Sequence, residues 1–393
     1  MALEKTELRL GYIPLTDCLP LVVAREKGFF AAQDLTVELS CEASWANIRD
    51  KLIVGHLDGA QMLAPMLLAA SLGLGGLRKP MLTAYSLGLN GNAVTVSNNL
   101  FAQLRDHSIS DSPLAAAQAL AAVIEQRRAR GLEPLVIATV FPFSSHNYQL
   151  RYWLVAAGID PDGDIKLVAL PPQQMVDNLR LGHIDAFCVG EPWNSCAVAM
   201  DLGRCLVAGS EIWQNAPEKV FGVTEQWHHQ HPHTHAAVLR ALDLAGTWIE
   251  NNLSEALHLL DHGHYVPAPM QWLAQPLTGD LRVGLAQRRR GAEFFHVFHR
   301  YQANFPWRSQ AQWFLQQMLR WGQISADTDI AAVAARVYRA DFYREVFAAT
   351  HALPLADMKS EGEHLTEWLL PARGGDVRMG PDNFMDGAIF TPG

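Results

Sequence analysis

The sequence predicts an α/β protein of two lobes, with a ligand cleft between them and a helical C-terminal region. Three observations predict it. The front third alternates short apolar runs with helical ones, which is an α/β rhythm. A second block of the same kind occupies about residues 130–190, with no low-complexity linker and no internal repeat between the two. From Trp227 onward the pattern is helical. Two α/β blocks joined without a linker imply lobes connected by crossing strands, and clefts between lobes are favoured small-molecule sites. The first lobe is assigned to residues 8–97 with 205–393, and the second to residues 98–204.

Taken in order, Leu8 to Ile13 and Leu35 to Leu39 are strands, and Pro20 to Gln33 and Ile48 to Gly55 are helices. Asp58 to Leu63 is a third strand leading into the apolar helix Pro65 to Leu72, and Ala93 to Ser97 is another strand. The alanine-rich Ser110 to Arg130 forms a helix with a basic last turn and Gly131 as its stop. Leu135 to Val140 resumes as strand. Ser144, Ser145, His146 and Asn147 then carry N-cap chemistry for a helix that runs to about Ala157, where Gly158 ends it. The strand Ile165 to Leu170, a helix over Gln173 to Leu181 and the strand Ile184 to Val189 complete the second block. The last twenty or so residues, rich in Gly, Pro and Asp, form an irregular tail.

With 393 residues, 49% of them hydrophobic, the chain can bury the large core that a two-lobed body needs. A net charge of -9 gives no basic footprint for direct nucleic-acid binding, so RNA would be met only through an adaptor. No membrane span is predicted. The longest uncharged stretch, Gln61 to Leu77, is broken by Pro65, Gly73, Gly75 and Gly76 and falls short of the roughly 20 apolar residues a span needs. The five cysteines (Cys18, Cys41, Cys188, Cys196, Cys205) are odd in number and contain no Cys-x-x-Cys pair. They read as reduced core thiols rather than a disulfide framework or a thiolate zinc site.

Among charged residues Lys219 is the most informative, because it opens the apolar run Val220-Phe221-Gly222-Val223. A charge in such surroundings needs an opposite charge; the bland alternative to a ligand is a salt bridge to neighbouring Glu218. His146 lies in a first helical turn, where free N–H groups and the dipole favour an anion, although a surface or capping histidine fits the same pattern. Trp45 follows a strand and precedes a helix, at the edge where open α/β sheets bind ligands, and would otherwise be an ordinary core tryptophan. Asn90-Gly91-Asn92 is a turn signal before a strand, and Gly190 would let backbone approach a ligand closely.

His228, His229, His231, His233 and His235 crowd into eight positions broken by Pro232, with no cysteine or carboxylate nearby. This is not tetrahedral metal spacing. The aromatic run Phe294 to Phe298 reads as core. No phosphate-binding loop, His-Glu-x-x-His, Gly-x-Ser-x-Gly or Cys-x-x-Cys is present, so a binding protein is favoured over an enzyme, with no cofactor and no metal.

Several segments together carry a resemblance. Gly11-Tyr12-Ile13-Pro14-Leu15, Trp45-Ala46-Asn47-Ile48-Arg49-Asp50-Lys51-Leu52, Asp58-Gly59-Ala60-Gln61-Met62-Leu63 and Asn90-Gly91-Asn92-Ala93 resemble the nitrate-binding protein family, the NrtA-like solute receptors. Arg151-Tyr152-Trp153-Leu154, Gly190-Glu191-Pro192-Trp193, Pro217-Glu218-Lys219-Val220, Asn304-Phe305-Pro306-Trp307 and Met318-Leu319-Arg320-Trp321-Gly322 extend the likeness over nearly the whole chain. It implies a periplasmic-binding-protein fold of type II, holding a small planar anion through Trp45, Asn92, His146 and Lys219, with Gly190 lining the cleft. Nitrate or nitrite needs donors only, and these residues supply them. The related bicarbonate receptors are expected to carry an acidic residue and a metal ion where this chain has Lys219. The resemblance also implies that Glu225 to Leu242 begins a helix, with its histidines solvated.

Met1 to Glu7 alternates charges and lacks the apolar run of about 7–15 residues that marks an export signal. The expectation is therefore a cytoplasmic protein. Within the resemblance this points to the NasS-like nitrate/nitrite sensors, which hold a NasT-like, ANTAR-type RNA-binding antiterminator until anion arrives. The alternative is the nitrate-binding receptor of an ABC transporter without its signal peptide.

Overall fold

The computed structural model of the chain describes residues 2–107, 112–279, 281–282 and 295–393. In chain order its strands are β1 (Glu7–Tyr12), β2 (Thr36–Cys41), β3 (Gly59–Leu63), β4 (Met81–Ser86), β5 (Leu89–Asn90) and β6 (Asn92–Ser97). There follow β7 (Val136–Thr139), β8 (Lys166–Ala169), β9 (Ala186–Gly190), β10 (Gly203–Ala208), β11 (Lys219–Thr224) and β12 (His296–Val297). Two five-stranded sheets form the lobes, in the orders β2-β1-β3-β11-β4 and β10-β6-β9-β7-β8. In the first, β1 runs parallel to β2 and β3, while β11 runs antiparallel to β3 and β4.

The chain leaves the first sheet after β4, passes through β5 into β6, and returns after β10 into β11. Both β6 and β10 belong to the second sheet, so the second lobe covers about residues 92–208 rather than 98–204. The crossing falls before β6 because the turn sits there. Asn90 and Gly91 have φ of 64° and 96°, a left-handed pair, and a Cβ on Gly91 would lie 2.5 Å from the His296 ring. Only glycine combines that conformation with that close approach.

Within the two five-stranded sheets, β4 and β10 escaped the sequence reading. β4 is buried along its whole length and β10 along most of it, so neither shows the alternation of a half-exposed strand. Helices also shift: the first ends at Glu26, with Gly28 at φ 74°, instead of continuing to Gln33. The alanine-rich helix is Pro113–Ala129, and its expected start at Ser110 lies outside the described residues. Beyond Trp227 the chain is helical only in part. The Pro232–Asn251, Arg308–Arg320 and Ala340–Phe347 helices stand among them, but β12 pairs with β5, and Trp368–Leu370 pairs with Val377–Met379.

The tail is not loose. Gln214 N donates to Asn383 O at 3.0 Å and Met385 N to Ile212 O at 2.9 Å, while Phe384 stacks on Trp213 with ring centres 4.8 Å apart. Contacts also join the second lobe to the helical region, with the Tyr148 hydroxyl donating to Gln323 Oε1 at 2.6 Å and the Tyr152 hydroxyl to Asp386 at 2.9 Å.

The histidine cluster is solvated only in part, with His229 and His233 exposed and His231 half-buried. His228 and His235 are buried, their Nδ1 atoms 2.9 Å apart, and both rings pack on Phe342. Of the cysteines, which are all free, Cys41 is exposed and only the other four are core thiols. Among the described residues, no helix is long and apolar enough to cross a membrane.

Candidate functional site

Strand ends and helix starts converge between the two sheets. Lys219 opens β11 opposite Leu63 of β3, and Asn92 opens β6 opposite Gly190 at the end of β9. Ser144 caps the Ser145–Val155 helix by accepting from Asn147 N at 3.1 Å, which places Ser145 and His146 in the first turn. Ser44 does the same for the Trp45–Ile53 helix, accepting from Asn47 N at 3.2 Å. Lys219 Nζ lies 5.4 Å from the centre of the Trp45 ring. A Cβ on Gly190 would stand 3.6 Å from Asn92 Oδ1 and 3.7 Å from Asp17 Oδ2, so its backbone forms part of the wall. The five residues singled out in the sequence are therefore neighbours.

They are not a set of donors alone. Lys219 is 1% exposed, and its Nζ pairs with Asp17 Oδ2 at 2.9 Å and, more closely, with Glu218 Oε1. The second Glu218 oxygen accepts from Asn92 Nδ2 and Ser145 Oγ, and His146 Nδ1 stands 3.6 Å from the first. Asp17 is held in turn by Gln61 Nε2 at 2.6 Å, whose own oxygen accepts from Ile13 N at 3.0 Å. The expectation of a donors-only site is corrected for a physical reason: an unpaired buried ammonium is costly, and two carboxylates surround this one. Pairing with Glu218 was the bland reading of Lys219, and it is what the structure contains. Asp17, Gln61 and Ser145 were missed as site residues. The signal for Asp17 was its place just after β1, at the carboxyl edge of an open α/β sheet.

Burial opposes the charge on Lys219, but Asp17 and Glu218 together outweigh it and hold its pKa above the ordinary lysine value. For His146, burial and then the Lys219 charge push the pKa well below 6.5. It is a neutral imidazole with one N–H to give. Both of its ring nitrogens, Trp45 Nε1 and Asn92 Oδ1 are buried without a hydrogen-bond partner. Native interiors seldom leave four such groups side by side, and their cluster points to a ligand.

A small cavity adjoins Lys219, lined also by Asp17, Asn90, Glu218 and His296. His296 Nε2 sits 3.1 Å from Thr16 Oγ1, and burial lowers its pKa to about 4. Of the aromatic run read as core, Phe295, Val297 and Phe298 are buried, His296 between them reaches this cavity, and Phe294 lies outside the described residues. Among the described residues, Asp243, His299 and His351 form the one grouping that could hold a metal ion. Their donor atoms are already engaged. His351 bonds Asp243 at 3.1 Å and Thr350 at 2.8 Å, and His299 bonds Asn304 at 3.0 Å.

Residues 1–259 match the NMT1-like family. The chain is 32% identical over 405 residues to the nitrate/nitrite binding protein NrtA of Synechococcus elongatus, covering 99% of this chain and 84% of that protein. To the nitrate import ATP-binding protein NrtC of Synechocystis it is 39% identical over 394 residues, 99% of this chain but 54% of that protein. It thus spans about half the length of that relative. The crystal structure of the periplasmic nitrate-binding protein NrtA from Synechocystis superposes with a TM-score of 0.85 at 29% identity, covering 100% of this chain and 97% of that one. The two lobes are those of the periplasmic-binding-protein fold, and the chain belongs to the NMT1-like family, in its NrtA-like group of substrate-binding proteins.

Proposed function

We propose that the protein binds nitrate or nitrite between its lobes and acts as a sensor whose liganded state releases a NasT-like, ANTAR-type RNA-binding antiterminator, in the cytoplasm. One observation carries the anion reading: a buried, charged Lys219 with unspent hydrogen-bonding groups of His146 and Trp45 beside it. Nitrate has three acceptor oxygens and no proton, so ammonium, imidazole N–H, indole N–H and the Asn92 amide suit it. The names of the NrtA relatives support the same ligand. Lys219, in place of an acidic residue with a metal ion, favours this ligand over bicarbonate.

Asn92, Ser145 and His146 belong to the second lobe and Trp45 and Lys219 to the first, so an anion gripped by both sets favours the closed arrangement. If the antiterminator favours the open one, each ligand weakens the other by the same factor. The net charge of -9 fits a protein that meets RNA only through such a partner. A second reading, the receptor of a nitrate transporter, is favoured by relatives named as import and binding proteins.

Pull-down from native lysate with and without millimolar nitrate separates the two. Loss of a small RNA-binding protein on adding nitrate supports the sensor, whereas recovery of transporter subunits supports the receptor. Calorimetry with nitrate, nitrite and bicarbonate tests the ligand itself. Equal anion affinity with and without saturating antiterminator would sink the coupling.

A further inference from the structure

We propose that Glu218 is an internal competing anion: its carboxylate occupies the donors an external planar anion would use, and that anion binds only as Glu218 withdraws. This rests on the anion-binding reading above. A carboxylate resembles nitrate in charge, planarity and acceptor chemistry. The Glu218 oxygens take Lys219 Nζ, Asn92 Nδ2 and Ser145 Oγ, with His146 Nδ1 3.6 Å away. These are donors from both lobes, so Glu218 makes the same bridge that would let a bound anion hold the lobes closed.

Charge decides between a structural ion pair and a competitor. Lys219 already has a counter-ion in Asp17 at 2.9 Å, and Asp17 is fixed by Gln61. Glu218 therefore gives the buried cluster two carboxylates for one ammonium. Adding a nitrate to that arrangement would bring three negative groups to one positive group in a buried space, which is strongly unfavourable. Exchanging nitrate for the Glu218 carboxylate leaves the charge count unchanged and returns a partner to each donor. The buried donors without partners, Trp45 Nε1 and the one N–H of the His146 ring, are what a two-oxygen side chain leaves over and a three-oxygen anion can still reach.

An internal competitor sets a threshold. Apparent affinity falls by the fraction of molecules in which the seat is free, so Glu218 tunes the concentration to which the protein responds. The test is nitrate calorimetry on the native chain and on Glu218→Gln, which keeps the shape and removes the charge. The substitution is expected to tighten nitrate binding at least about tenfold. Equal or weaker binding by Glu218→Gln, with the native chain binding nitrate, overturns the proposal and leaves the anion reading standing. If neither protein binds nitrate or nitrite, the anion reading falls and the proposal with it. Should Glu218→Gln not fold, a crystal structure of the native nitrate complex decides. Nitrate on Asn92 and Ser145 with Glu218 turned away supports the proposal; Glu218 still on both residues overturns it.

Discussion

Two buried lysines in this molecule sit between pairs of carboxylates, and they end differently. In the C-terminal region Lys359 Nζ meets Glu361 Oε2 at 2.5 Å and Asp382 Oδ2 at 2.9 Å. The other two oxygens are also taken, by Ser309 Oγ at 2.6 Å and His364 N at 2.8 Å. Lys219 has the same ionic core with Asp17 and Glu218, and for both lysines burial opposes the charge while the two carboxylates outweigh it. The difference lies in the surroundings. Lys359 draws its partners from one region of the fold, with His364 Nδ1 unpartnered 3.4 Å from Asp382, whereas Lys219 gathers groups from both lobes and is edged by unpartnered atoms of His146, Trp45 and Asn92. A buried ion cluster marks a binding site when unspent hydrogen-bonding groups from two lobes converge on it; one built within a single region is scaffolding.

The sharpest way to break this comparison is to remove each lysine. Lys359→Met should cost about 3–5 kcal/mol of unfolding free energy in urea titrations, because it strands two buried carboxylates, yet leave the nitrate Kd unchanged. Lys219→Met should cost a similar amount and abolish nitrate binding. Loss of nitrate binding by Lys359→Met would erase the distinction.

Next in size is a pH effect at Glu191, which follows Gly190 in the cleft wall and whose pKa burial raises to about 7. Between its ordinary value of 4.5 and about 7 the folded state holds a proton the unfolded state has lost. Stability from this group is therefore greatest below about 4.5 and declines by about 3 kcal/mol as pH rises to 7. Glu191→Gln should be more stable than the native chain at pH 8 but not at pH 4.5, by thermal melts in matched buffers.

A smaller effect is expected at His146. Phenylalanine there keeps ring volume and deletes two unpartnered nitrogens, so stability should rise, while nitrate affinity falls about tenfold for one lost donor. Smallest is Arg128→Ala, which breaks the surface pair with Asp164. It should change stability by under about 0.5 kcal/mol and nitrate affinity not at all.

The parts of this comparison that could be read in advance were the local ones. Ser144 signalled its helix because a cap acts within four residues, and the neighbour Glu218 was visible as a partner for Lys219. What could not be read depends on strands and helices distant in sequence. Gln61 and Asp17 meet only because β3 lies beside β1, and Ser145 faces Glu218 only because the lobes come together. His235 looked solvated because the ring that buries it, Phe342, arrives from a helix more than a hundred residues later. β4 was hidden by its own burial on both faces.

Asn92 and Lys219 also begin the strands by which the chain enters and re-enters the two lobes. A group held by both acts at the fulcrum of a lever, where a slight shift becomes a large one at the far rim. A partner seated there would register the anion as a change in spacing, without ever touching it.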